Sequence, residues 1–187
     1  MPRQGLDRAR VVAEAALLAD QEGLDGVTLA ALAARLGVRA PSLYKHVDGL
    51  DGLRGELAAL AVAELADALG AAIAGRADRD ALRAGGAAWA AYARAHPGRY
   101  ALTLRSPIDG IDAHRAAGER AIDLIRAALR GLDLEGDDEL HAIRAVRSGL
   151  HGFCALEAAE GFALDLDRDA TLARLLDVLW DGLRAGR

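Results

Sequence analysis

Apolar residues recur at helical spacing along nearly the whole chain, and no apolar-polar alternation is long enough for a strand. Val11 to Leu18, followed by Glu22-Gly23, forms a first amphipathic helix. A second covers Leu29, Leu32, Ala33 and Leu36, with Thr28 to cap it and Gly37 to end it. After Val38, Ala40-Pro41-Ser42 opens a third helix, with proline in the first turn where its missing N–H matters least. Further helices are predicted from Leu50 to Leu69, from a cap at Asp78 to His96, and from Tyr100 to Arg105. Others follow over Ile111–Leu132, Asp138–Ala159 and Arg168–Leu183. The breaks fall at Ala74-Gly75, Pro97-Gly98, Ser106-Pro107 and Glu135-Gly136-Asp137. The fold class is all-α, with about nine helices.

The stretch Val27–Val47 places two short helices on either side of a glycine turn. Leu43 and Val47, four apart, face inward, while Arg39, Ser42, Tyr44, Lys45 and His46 lie outward or on the flanks. This is a helix-turn-helix whose second helix, Ala40 to His46, is sized for a major groove. The alternative is a helix-turn-helix that only packs, but packing does not require a Tyr-Lys-His run on the open face.

The series formed by the alanine-rich first helix, Gly23, Thr28, Gly37-Val38, Leu43-Tyr44 and His46-Val47 resembles the amino-terminal domain of the tetracycline-repressor (TetR/AcrR) family. The resemblance covers about the first quarter of the chain. It implies a three-helix DNA-binding domain over residues 1–50 and a helical ligand-binding and dimerisation domain over 51–187. The expected function is a ligand-responsive dimeric repressor on a palindromic double-stranded DNA operator. By chemistry, Thr28, Tyr44, Lys45 and the amides opening the second helix suit phosphates, while Arg39 and Ser42 suit base edges. Ala40 and Pro41 carry these groups into the groove, and His46 bonds a phosphate or braces the turn. The family commonly has lysine where Asp48 stands. Asp48 would repel phosphate and is expected to cap the following helix.

In the last two predicted helices, Leu140, Ile143, Val146, Leu150, Cys154 and Ala158 form one stripe, and Leu172, Leu175, Leu176, Leu179 and Leu183 another. Arg147 to Asp169 resembles the carboxy-terminal domain type named for a Trp-His-Gly motif, here Leu150-His151-Gly152 without the tryptophan. In that family the last two helices pair with their copies in a four-helix bundle. Leu140, Ile143, Leu150, Leu172, Leu175, Leu176, Leu179 and Leu183 are therefore the candidate dimer contacts. The other reading is that these stripes close the monomer's own core.

Leu82, Gly85, Gly86, Trp89, Tyr92, Ala93 and His96 share one broad helical face. Two adjacent helix-interior glycines cost about 2 kcal/mol relative to alanines, so a requirement for space or a bend is expected there. Leu82, Trp89, Tyr92, His96, Tyr100, His114, His151, Phe153 and Glu157 are the candidate wall of an effector chamber. The alternative for each is ordinary core, and for His151 a hydrogen-bonded interior histidine.

With 187 residues, 52% of them hydrophobic, the chain can bury a substantial core. It has no apolar run of membrane-spanning length, and its start, MPRQGLDRAR, lacks a signal-type apolar segment, so a cytoplasmic location with no membrane partner is expected. Cys154 is the only cysteine, which rules out an intramolecular disulfide. Net charge is −5, but residues 1–47 carry six cations (Arg3, Arg8, Arg10, Arg35, Arg39, Lys45) against five acids (Asp7, Glu14, Asp20, Glu22, Asp25). Screening over about 8 Å lets that local excess act despite an acidic remainder.

Catalytic readings find little support. The histidines at 46, 96, 114, 141 and 151 form no His-x-x-x-His pair, and Cys154 three residues after His151 lies in the apolar stripe. Asp165, Asp167 and Asp169 begin like a calcium loop, but Ala170 and Leu176 stand where glycine and glutamate are needed, so these acids are expected to cap a helix. No metal and no cofactor is implied. The rival class is a helical small-molecule carrier or enzyme on the same scaffold that does not bind an operator.

Overall fold

The computed structural model describes residues 6–104 and 112–186. Arg3, the expected helix end at Arg105 with its Ser106-Pro107 closure, and the expected helix start at Ile111 lie outside the described residues. Among those described, the chain forms eight α-helices and two short 3-10 segments, without a strand. No described helix is long and apolar enough to cross a membrane.

Helix α1 spans Arg8–Gly26 and kinks at Gly23, and the Asp7 carboxylate caps it by accepting from the Arg10 amide at 2.8 Å. Helix α2 (Leu29–Leu36) and a 3-10 segment (Ala40–Lys45) come next, and then α3 (Gly49–Ile73), α4 (Asp78–Ala95), α5 (Pro97–Leu102) and α6 (Asp112–Ala128). The expected single helix to Leu132 stops at Ala128 and tightens into a second 3-10 segment, Arg130–Leu132, closed by Asp133 at φ 51°. Gly136-Asp137, read as linker, opens α7 (Gly136–Ala158), where Asp137, Asp138 and Glu139 favour the positive end of the helix. Asp167 caps α8 (Arg168–Ala185) by accepting from the Asp169 and Ala170 amides at 2.9 and 3.3 Å.

The chain divides into two compact units, Met1–Val62 with His96–Ala117, and Ala63–Ala95 with Gly118–Arg187. The first is larger than the 1–50 segment expected from sequence. Its core joins Val11, Leu18, Leu32 and Leu43 to Leu53 and Leu57 of α3 and Leu102 of α5. Those α3 and α5 leucines are fully buried, so the helix-turn-helix is incomplete without them. Helix α5 lies so close on α1 that a Cβ on Gly98 would collide with the Ala19 carbonyl oxygen. Beside that contact the Asp20 carboxylate accepts from the Arg99 amide at 2.9 Å and from Arg99 Nε at 2.7 Å. His96 Nδ1 stands 3.2 Å from the same carboxylate.

In the second unit α4 packs on α7 and α8 around Leu82, Trp89, Val146, Leu150, Leu172, Leu176 and Trp180. Ion pairs border this core: Arg83 with Asp177 at 2.7 Å, Arg79 with Asp177 and Asp181, and Arg94 with Glu157 and Asp169. Such solvent-screened pairs add little, so the buried apolar layer supplies most of the cohesion.

Candidate nucleic-acid interface and the helical body

The helix-turn-helix is built by local chemistry. Thr28 Oγ1 accepts from the Ala31 amide at 3.1 Å, which caps α2 and leaves its exposed O–H able to donate outward. Gly37 takes φ 67°, a left-handed geometry that suits glycine, and the Val38 amide closes the helix end on the Ala33 carbonyl at 3.0 Å.

The recognition element departs from expectation. It is a 3-10 segment over Ala40–Lys45 instead of an α-helix reaching His46. Pro41 supplies no N–H, and six residues leave room for little beyond i to i+3 bonds: Ser42 to the Arg39 carbonyl at 2.9 Å and His46 to Leu43 at 2.8 Å. With three residues per turn, side chains three apart align, so Arg39, Ser42 and Lys45 fall on one row, with Pro41 and Tyr44 on the next. Leu43 and Val47 are buried beneath, as their spacing predicts. Arg39, Pro41, Tyr44 and Lys45 are exposed, Tyr44 at 62%, while Ala40, Ser42 and His46 are half-buried.

Among the described residues, neither Arg39 nor Lys45 enters an ion pair, whereas Arg8 is bound to Glu56 and Arg35 to Glu14. The recognition segment thus carries two exposed cations, Arg39 and Lys45, that no acid of the described residues neutralises. Asp48 is exposed, and its carbonyl accepts from the Gly52 amide at 3.3 Å at the start of α3.

The expected effector wall divides between the two units. His96, Tyr100 and His114 belong to the first, where His96 faces Asp20, Tyr100 is buried, and burial lowers the pKa of the His114 imidazole. Leu82, Trp89, Tyr92, His151, Phe153 and Glu157 belong to the second. There Leu82 and Trp89 line an apolar cavity of about 20 Å³ with Leu69, Ile73, Leu124 and Leu150. That volume admits about one water, so the seam is closed to any larger guest until it opens.

The glycine pair does not hold it apart. A Cβ on Gly86 would stand 2.5 Å from Leu176 Cδ1, and one on Gly85 would stand 3.2 Å from Ile73 Cγ2. Side-chain volume is missing because neighbouring helices fill the space.

Tyr92 donates to Glu64 at 3.0 Å, and Phe153 packs on Phe162 with centroids 5.2 Å apart. Glu157 receives both Arg94 Nε and Nη2, at 2.8 and 2.9 Å, so its charge is already matched. His151 stands edge-on to Trp89 with centroids 5.1 Å apart at 82°, which brings a tryptophan from α4 beside the His-Gly pair of α7. Desolvation, and then the nearby Arg147, push the His151 pKa down to about 4.

The dimer candidates also separate. Ile143, Leu150, Leu172 and Leu176 are buried in the core of the second unit. Leu140 is exposed, and Leu175, Leu179 and Leu183 are half-buried, with Leu175 and Leu179 lying over Gly149. Periodicity alone missed Trp180, which fills the inward side of α8, and Val178, which points outward at 70% exposure.

Comparison with known proteins agrees with this arrangement. The sequence model for bacterial regulatory proteins of the tetR family matches residues 11–57, and that for a tetracyclin repressor-like C-terminal domain matches residues 82–179. The HTH-type transcriptional regulator Rv0681 of Mycobacterium tuberculosis is 37% identical over 172 residues, covering 91% of this chain and 78% of that protein. YobS of Bacillus subtilis, also an HTH-type transcriptional regulator, is 34% identical over 187 residues, covering 97% and 95%. The solved structure of SCO4313 superposes with a TM-score of 0.74 at 27% identity, covering 93% of this chain and 95% of that one. The chain belongs to the tetR family of transcriptional regulators, and its helix-turn-helix is the DNA-binding element of such a regulator.

Proposed function

We propose that the protein is a cytoplasmic homodimeric repressor that places Ala40–His46 of each subunit in a major groove of a palindromic operator. The observation that carries this reading is the recognition segment, where Leu43 and Val47 are buried and Arg39, Tyr44 and Lys45 stand exposed with no competing ion pair among the described residues. In this reading Lys45, Tyr44 and Thr28 hold phosphates, and Arg39 and Ser42 meet base edges. His46, half-buried at the end of the segment, braces it. The half-sites are spaced to match the protein's twofold axis.

The effector is a small apolar or amphipathic molecule that enters the seam beside Trp89. The cavity lining is aliphatic and aromatic, so it offers no charge partner to an ionic core group. Because the seam is nearly closed, binding selects an opened state of the body, and the operator-bound state loses population by the difference in affinity between the two. No catalytic role is assigned, since Cys154 lies buried in α7 and His151 is engaged with Trp89.

Footprinting the purified protein on the DNA upstream of its own coding sequence tests the regulator reading. The expected result is protection of a palindrome whose half-site centres are one helical turn or a multiple apart. A uniform pattern identical to that on scrambled DNA would overturn it.

A further inference from the structure

We infer that Arg35 is a positioning residue for operator recognition, a brace that fixes the recognition segment against α1, and that it does not act as a phosphate contact. The inference rests on the DNA-binding reading above. Helix α2 has only eight residues: Leu32 and Ala33 are buried, and Leu29, Ala31 and Leu36 pack half-buried against the same core. Apolar packing is non-directional, so it sets the rotation of so short a helix about its own axis less sharply than a hydrogen-bonded fork does.

Arg35, in its last turn, adds a directional constraint to that packing. Its Nε donates to Glu14 Oε1 at 2.6 Å and its Nη1 donates to Gln21 Oε1 at 2.6 Å. Glu14 and Gln21 are seven residues apart, so the guanidinium spans two turns of α1 on one face. A planar fork with two fixed partners sets direction as well as distance, which a single lysine contact would not.

The link from Arg35 to the recognition segment is short and tied down. Gly37 and Val38 close α2 by backbone bonds to Ala34 and Ala33, and Arg39 leads directly into the segment. Any rotation of α2 is therefore carried to Arg39, Ser42 and Lys45. Placing such groups within about 0.5 Å of their targets depends on supporting residues of this kind.

The charge of Arg35 is spent on Glu14 within the first unit, so it releases no counterion when DNA binds. That separates a brace from a contact. Full-length protein is titrated onto a duplex from its own upstream region over a range of salt concentrations, with wild type, Lys45→Ala, Arg35→Gln and Glu14→Gln compared. The two brace variants are expected to bind at least tenfold more weakly, with the wild-type slope of log affinity against log salt, while Lys45→Ala lowers that slope by about 0.9 per subunit. Arg35→Gln with Glu14→Gln is expected to lose no more than either change alone, because both break one contact.

A phosphate-binding Arg35 gives the opposite pattern. Glu14→Gln would then tighten binding by removing a competing acid, and Arg35→Gln would flatten the slope. Either result overturns the brace. Should Arg35→Gln lower the melting temperature appreciably, Arg35→Lys keeps the charge and helix propensity while losing the second arm of the fork, and its expected loss of affinity at unchanged slope tests the same point. A wild-type protein that binds its upstream duplex no better than a scrambled one would overturn the regulator reading itself, and the brace with it.

Discussion

The side chain of Leu176 occupies the place where Gly86 has no Cβ: a methyl group built there would lie 2.5 Å from Leu176 Cδ1. Helices α4 and α8 are thus in contact through an absence of volume. Gly86→Ala should improve helix propensity by about 1 kcal/mol yet overpack the contact by about 1–3 kcal/mol. The expected net loss is about 1 kcal/mol, a fall of roughly 2–4 °C in melting temperature for a chain of this size. Gly118→Ala, where an added Cβ meets nothing within 4 Å, should hold or raise stability. Equal melting of Gly86→Ala and wild type would show that the seam has room to spare.

The same glycines show where sequence reasoning reaches its limit. A Gly-Gly pair in a helix announces that volume is missing, but not whether a ligand or a neighbouring leucine fills the gap. The amino-terminal elements were legible because their signals are local: the Thr28 cap, the Gly37 terminus and the Leu43–Val47 spacing each constrain residues a few positions away. The 3-10 form of Ala40–Lys45 was less legible, since Pro41 suits the start of either helix type. Attachment of α5 to α1 depends on Asp20 meeting Arg99 and Gly98 meeting Ala19, contacts nearly eighty residues apart that no periodicity encodes. On α8 the leucine spacing showed a stripe, but Trp180 and Leu176 decide which side of it faces inward.

Lys45 and Tyr44 neighbour each other on the exposed segment but differ in charge, so their variants should be distinguishable by salt. Lys45→Ala should weaken operator binding and flatten the salt dependence, since it removes a cation that displaces counterions. Tyr44→Phe should weaken binding by about 0.5–1.5 kcal/mol through one lost hydrogen bond and leave the slope unchanged. Circular dichroism and melting should match wild type for both, because neither side chain contributes to the core. Wild-type affinity in both variants would remove the segment from the interface.

Acid should weaken the body through His151. Desolvation beside Trp89, and next the charge of Arg147, hold its folded pKa at about 4, below the unfolded value of 6.5. The unfolded chain therefore takes up the proton first, so this contribution is complete above pH 6.5 and is lost as pH falls toward 4. Between pH 7 and 5 the expected loss is about 1 kcal/mol, allowing for screening at a half-buried ring. Urea midpoints at the two pH values measure it. In His151→Gln the decline should shrink, although the buried His114, shifted in the same direction, keeps part of it. An unchanged slope in that variant would mean that other groups carry the acid sensitivity.

The outward side of α8 should control assembly, and its inward side folding. Val178 is 70% exposed, with Leu175 and Leu179 half-buried on its flanks, whereas Leu176 and Trp180 are in the core. A charge at Val178 costs nothing in the isolated subunit but must be desolvated in a helical dimer seam. Val178→Glu and Leu179→Glu are therefore expected to shift sedimentation from dimer to monomer, with Val178→Glu keeping its helix content. Leu176→Glu buries an unpaired carboxylate, and the expected result is loss of the cooperative melt, since that cost is a large share of the total stability of a domain. If Val178→Glu and Leu179→Glu both sediment as the wild-type dimer, the partner subunit binds elsewhere, and the half-buried leucines of α8 serve the monomer alone.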